Sequence, residues 1–249
     1  MDGLQAVIRW IHVIAGITWI GHLYFFNFVN SAFAPTMDGE TKKKVVPQLM
    51  PRALYWFRWG AAWTWITGVL LLLIVFYHGQ VALEGNRSWN ALAIIMVLLT
   101  FLMAFAYDIL ARGGIGKNNL LLAGVGLATV VIMLIFYRMA GFSYRGYTIH
   151  VGALFGTAMA LNVWMRIWPA QKRIIAATRD GQTPNPADGA LAGGRSKHNT
   201  YMSVPLVWMM LNQHTTAFAG SFLGLVGFIA VGWGATYFLY QKAAKVPGF

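Results

Sequence analysis

The alternation of apolar and polar stretches divides the chain first. Six stretches are apolar for long enough to cross a bilayer as helices, at about residues 4–33, 53–77, 89–110, 118–139, 146–168 and 216–240; roughly 20 residues are needed for each crossing. A polar segment containing Gly and Pro, about 169–199, follows the fifth stretch and is expected as a loop. Residues 201–212 are apolar but short and hold Pro205, a residue tolerated at the first turn of a helix. A short helix is expected there, either re-entrant or spanning. The pattern predicts an all-α fold: a polytopic transmembrane helix bundle, six spans plus that short helix, forming one integral membrane domain over residues 1–249.

Within the first stretch, His12, Gly16, Trp19, His22, Leu23 and Phe26 share one broad stripe at 100° per residue. Titratable groups at membrane depth are costly and face the protein interior, so this stripe is expected to turn towards the bundle. His12 and His22 lie roughly 15 Å apart along the helix axis. That is too far to share one iron, so they mark two levels.

Composition agrees with a membrane protein. Of 249 residues, 58% are hydrophobic and only 10% charged, and the mean hydropathy is +0.57. There is no cysteine, which removes disulfides, thiolate iron–sulfur ligation and a c-type haem attachment within this chain. The net charge of +12 does not point to nucleic acid, because the cations cluster between apolar spans. One set of connections carries Lys42–Lys44, Arg52, Arg112, Lys117, Lys172, Arg173, Arg179, Arg195 and Lys197. The alternate set carries Arg9, Arg87, Arg138 and Arg145, with Lys242 and Lys245 in the tail. The richer side, including the 169–199 loop, should be cytoplasmic, with the N-terminus periplasmic in a bacterial inner membrane. No cleaved signal is read at the N-terminus.

At the outer level, His12 and His150 fall at similar depth on different helices. Two imidazoles facing each other would supply both axial ligands of one haem b. Arg9 and Arg145 lie near them and would suit the propionates. The competing account is two unrelated histidines bonded to backbone. The inner level gathers His22, Arg58, His198 and His214 with Asn27, Asn30, Asn162, Asn199, Tyr201, Asn212 and Gln213. Such a set suits a second haem, a metal or a planar polar substrate. Interfacial polarity and interhelical hydrogen bonds are the plainer explanation for most of the asparagines. Carboxylates are scarce; Asp108 is the one within a span, with Arg112 one turn on to pair with it.

Three blocks carry a family resemblance: His12-Val-Ile-Ala-Gly-Ile-Thr-Trp19-Ile-Gly21-His22; Ile149-His150-Val-Gly152-Ala-Leu-Phe-Gly156-Thr; and Arg195-Ser-Lys-His198-Asn199-Thr-Tyr201-Met-Ser-Val-Pro205 leading to His214. Together they resemble the membrane domain of the cytochrome-c-linked urate oxidases, over nearly the whole chain. The resemblance implies oxidation of urate to 5-hydroxyisourate, with electrons passed to a cytochrome c on the periplasmic side. With no cysteine here, a separate c-type cytochrome or redox complex is the expected acceptor. On this reading His22, Arg58, His198 and His214 carry the chemistry, and Asn199, Tyr201 and Gln213 hold the substrate. The alternative is a haem-b electron-transfer or accessory subunit without substrate chemistry. Membrane lipid is the expected surrounding; a homo-oligomer is left open.

Overall fold

The computed structural model describes residues 2–85, 87–213 and 221–248. His214 and the start expected for the last span lie outside the described residues. Among those described, seven long helices follow one another: α1 Asp2–Thr36, α2 Gly39–His78, α3 Ala91–Arg112, α4 Asn119–Met139, α5 Tyr144–Arg179, α6 Pro186–Leu211 and α7 Phe222–Ala243. All but α6 are long and apolar enough to cross a membrane. Among the described residues the protein is therefore all-α, with six helices that make it multi-pass.

Local chemistry sets several of the starts. Asp38, just before α2, accepts from the Thr41 amide at 2.8 Å and the Thr41 hydroxyl at 2.9 Å. Those bonds hold its carboxyl below the usual carboxylate range. Asn90 accepts from the Ala93 amide at 2.9 Å to open α3, and Asn118 accepts from Leu120 and Leu121 to open α4. Pro186 stands first in α6, where its missing N–H is no loss.

Two expectations about extent change. Helix α2 begins at Gly39 and carries Lys42–Lys44, Pro47 and Pro51 within it. The lysines and prolines read as a connection, but the capped helix continues through them. The segment 169–199 is helical rather than a loop, apart from a turn between Arg179 and Pro186. Residues 201–212 are not a separate short helix: through Leu211 they are the later part of the 26-residue α6. Arg173 closes the turn by a two-pronged contact with Asp188, whose oxygens lie 3.0 Å from Nε. That pairing holds the Asp188 carboxyl low.

Among the described residues, wide π-helical turns interrupt α1 at Phe25–Asn30 and α5 at Asn162–Ile167, and a third, Leu72–His78, ends α2. Such turns are rare and are often found at functional sites.

The chain forms two compact units. The first comprises Met1–Thr67, Met159–Ser203 and Trp233–Phe249. Its core includes Trp19, Leu23, Leu54, Phe57, Ala61 and Val163. Helices α1 and α2 meet closely here, since a Cβ on Gly60 would stand 3.0 Å from the Trp19 backbone nitrogen. Phe26 and Phe57 meet edge to face at 5.4 Å.

The second unit comprises Gly68–Ala158 and Val204–Gly232. Met96, Leu134, Tyr137, Val151, Met209, Leu225 and Ile229 fill it. Pro205 of α6 lies against Gly232 of α7, where a Cβ would come within 2.9 Å of the proline ring. Asp108 pairs with Arg112 at 3.1 Å, one turn apart on α3. Large apolar side chains such as Leu120 and Leu223 stand outward at 83% and 77% exposure, as a surface in hydrocarbon requires.

Candidate functional site

The first unit contains a buried polar cluster, built where wide turns meet α6. The turn in α1 presents Asn27, and the turn in α5 presents Asn162. Between them α6 supplies Arg195, Ser196 and Asn199, all buried; Arg195 is only 3% exposed. The Asn27 amide donates to Ser196 Oγ at 2.7 Å and to the Leu23 carbonyl at 2.8 Å. Its oxygen accepts from Tyr240 of α7 at 2.9 Å. Asn162 donates to Asn199 at 2.8 Å and accepts from Arg195 at 3.4 Å. Asn199 donates onward to the Met159 carbonyl at 3.0 Å. A buried guanidinium thus opens a chain of amides that all donate in one direction. Burying a charge and three amides is costly unless they are bonded, and here they are.

Tyr201 and Arg58 belong to the same unit as the cluster. Tyr201 stacks on Tyr240 with centroids 5.9 Å apart. Arg58 lies over the Trp168 ring at 4.0 Å, and Trp164 donates to the Arg58 carbonyl at 3.1 Å. His198 is half-buried on α6 beside Arg195 and Asn199 in the sequence. Gln213 belongs to the second unit, where its amide donates to the Met209 carbonyl. Sequence reasoning placed Arg195 among loop cations and grouped Asn27 and Asn162 with the inner-level polar residues without a specific role for either. Arg195 sits in a block read as polar connection; only the helical course of α6 turns it inward.

The histidines share one device. His22 Nδ1 lies 2.7 Å from the Thr18 carbonyl, which can only accept, so Nδ1 carries the proton and Nε2 the lone pair. His12 Nδ1 lies 3.0 Å from Thr67 Oγ1. That hydroxyl already donates to the Trp63 carbonyl at 2.6 Å, so it accepts from His12, again leaving the lone pair on Nε2. A pinned Nδ1–H is the usual companion of metal ligation through Nε2. His150 is also pinned, to the Gly146 carbonyl at 2.7 Å, but its Nε2 accepts from the Tyr77 hydroxyl at 2.9 Å. It is fully buried among Tyr77, Tyr137 and Phe142.

These bonds bear on haem. His12 has the tautomer an axial ligand needs, whereas His150 has no lone pair to give while Tyr77 holds it. While Tyr77 holds its Nε2, His150 is not poised as an axial ligand. Arg9 is exposed and Arg145 half-buried, and neither has a contact here that marks a propionate. Among the described residues, no three His, Asp or Glu side chains converge as a metal site.

Taken together, the fold and the cluster define a multi-pass helical membrane protein with a buried, internally bonded polar cluster in its first unit. The chain belongs to the urate oxidase N-terminal family, whose profile matches residues 39–246. No curated protein and no solved structure matches it.

Proposed function

We propose that this chain is the membrane part of a urate-oxidising enzyme of the bacterial inner membrane, taking urate or a similar planar anion at the Arg195 cluster. Family membership supports a urate oxidase-like role. The observation that carries the site is a 3%-exposed guanidinium beside two linked amides. Urate is a flat anion edged with alternating N–H and C=O groups, and that edge matches Arg195, Asn162 and Asn199. His198 is the nearby imidazole able to accept a proton as urate loses one. The oxidation adds oxygen from water at the purine and releases two electrons and two protons. Tyr201, Arg58 and His22 are the flanking groups on the same unit; His214 and Gln213 complete the family block.

The pinned tautomers of His12 and His22 favour a second reading, an electron-transfer subunit that binds haem b through one of these imidazoles. In both readings a c-type cytochrome on the periplasmic side is a candidate acceptor. The test is steady-state urate oxidation by purified protein with several electron acceptors. Arg195→Gln should raise KM for urate by roughly 30-fold, the equivalent of about 2 kcal/mol for a bond to a charged group. Arg195→Lys should recover part of that loss. An unchanged KM in Arg195→Gln, at normal protein yield, would remove urate from this cluster. No urate oxidation with any acceptor would favour the electron-transfer subunit.

A further inference from the structure

A second feature of the first unit lies outside the polar cluster. Helices α1 and α2 leave between them an open groove of about 530 Å³, walled by Ile17, His22 and Phe25 on one side and Leu49, Arg52 and Trp56 on the other. Its floor is made by Gly21 and Ala53. A Cβ added at Gly21 would meet nothing within 4 Å, so the space is real and not filled by a neighbour. Ile17 and Trp56 stand 65% and 57% exposed at its rim. Both lie on helices long and apolar enough to cross a membrane, and Arg52 belongs to the cations expected on the cytoplasmic side, so the groove falls at the inner membrane boundary. Its volume falls in the range of small-molecule sites.

One polar atom sets this groove apart from an acyl-chain slot. His22 Nδ1–H is used by the Thr18 carbonyl, and the structure gives Nε2 no partner. That nitrogen is an acceptor open to a hydrogen-bond donor. A lipid tail cannot supply one; a ring hydroxyl can. Arg52, opposite on α2, spends Nη1 on the Gln48 carbonyl and Gln48 Oε1, and its Nε and Nη2 are the donors for a ring carbonyl. Phe25 and Trp56 provide flat apolar faces for a ring. The occupant this chemistry selects is lipid-soluble, planar, and able to alternate carbonyl and hydroxyl oxygens.

We propose that the α1–α2 groove binds the headgroup of a membrane quinone, which takes the electrons released at the Arg195 cluster. This rests on the substrate reading above. His22 and Asn27 are five residues apart on α1, roughly 8 Å along the axis, so the two sites share one helix at neighbouring levels. The step balances: urate, water and quinone give 5-hydroxyisourate and quinol. Water supplies the oxygen bonded at the purine. The quinone takes both electrons and two protons, His22 Nε2 accepting the hydrogen bond of the hydroxyl that forms.

The test uses the full chain in nanodiscs of phosphatidylcholine, titrated with decylubiquinone, with quenching of tryptophan fluorescence as the binding readout. Urate-dependent reduction of decylubiquinone and of added cytochrome c is measured in parallel. Gly21→Leu fills the groove without touching His22 or the cluster; His22→Leu removes the acceptor. Wild type should bind saturably, and each variant should weaken binding about tenfold or more. Urate should reduce the quinone in wild type, and Gly21→Leu should suppress that reduction while sparing KM for urate. If urate reduces cytochrome c but not the quinone, and Gly21→Leu binds quinone like wild type, the groove proposal falls and the substrate reading stands. If quinone binding is lost in Gly21→Leu but urate reduces neither acceptor, the groove is supported and the substrate reading is what fails. Equal displacement of the quinone by added anionic phospholipid would make the groove a lipid site and overturn the proposal.

Discussion

At the scale of single residues, hydrogen-bond direction decides what each histidine can do. Tyr77 donates to His150 Nε2 in a buried, aromatic setting. Tyr77→Phe would strip that donor and leave a buried nitrogen unsatisfied, lowering stability by about 1–3 kcal/mol; thermal unfolding in detergent should show the lower midpoint. The same substitution frees Nε2. A rise in bound haem in Tyr77→Phe would mean that Tyr77 alone withholds His150 from iron, and unchanged haem content would leave His150 a structural residue. The sequence showed that these histidines sit inside spans, and the structure keeps them there. It could not show their partners, because a hydrogen bond from residue 77 to residue 150 depends on how helices pack. Arg195 was harder still. A cation among Gly, Ser and Lys reads as solvated until the helix that carries it is known to run through.

At the scale of elements, close approach matters more than apolar content. Gly60 lets α2 lie against the α1 backbone at Trp19, with no side chain between. Gly60→Val would press against fixed main chain and should destabilise by about 1–3 kcal/mol, the range for overpacking, read as reduced yield and a lower unfolding temperature. Gly21→Val, facing open space on the neighbouring helix, should be tolerated and serves as the control. All six spans were legible in the sequence because unbroken apolar runs of that length have few other uses. Helix α6 was not. Its first half is Gly-rich and polar, so neither hydropathy nor helix propensity marks it, and its stability comes from Arg173 binding Asp188 and from packing on neighbours. The start of α2 was missed for a related reason: prolines at 47 and 51 resemble stops, yet the Asp38 cap starts the helix before them.

At the scale of the whole molecule, the positive-inside pattern gives an orientation that the helix count can carry. The loop-side cations, Lys42–Lys44 first among them, are expected in the cytoplasm. A phosphatase reporter fused after Lys44 should be silent and a fluorescent one bright; the reverse would invert every side assigned here. The three wide turns have a consequence of another kind. Each uses one residue more per turn than an ordinary helix would. Removing that residue would turn the rest of the helix by about 100°. In α5 the rotation would carry Trp168 off Arg58. A relative one residue shorter between Asn162 and Ile167 would then assemble its pocket from a different set of side chains, even where its letters align with these. For this family, the gaps in an alignment are as informative about specificity as the matches.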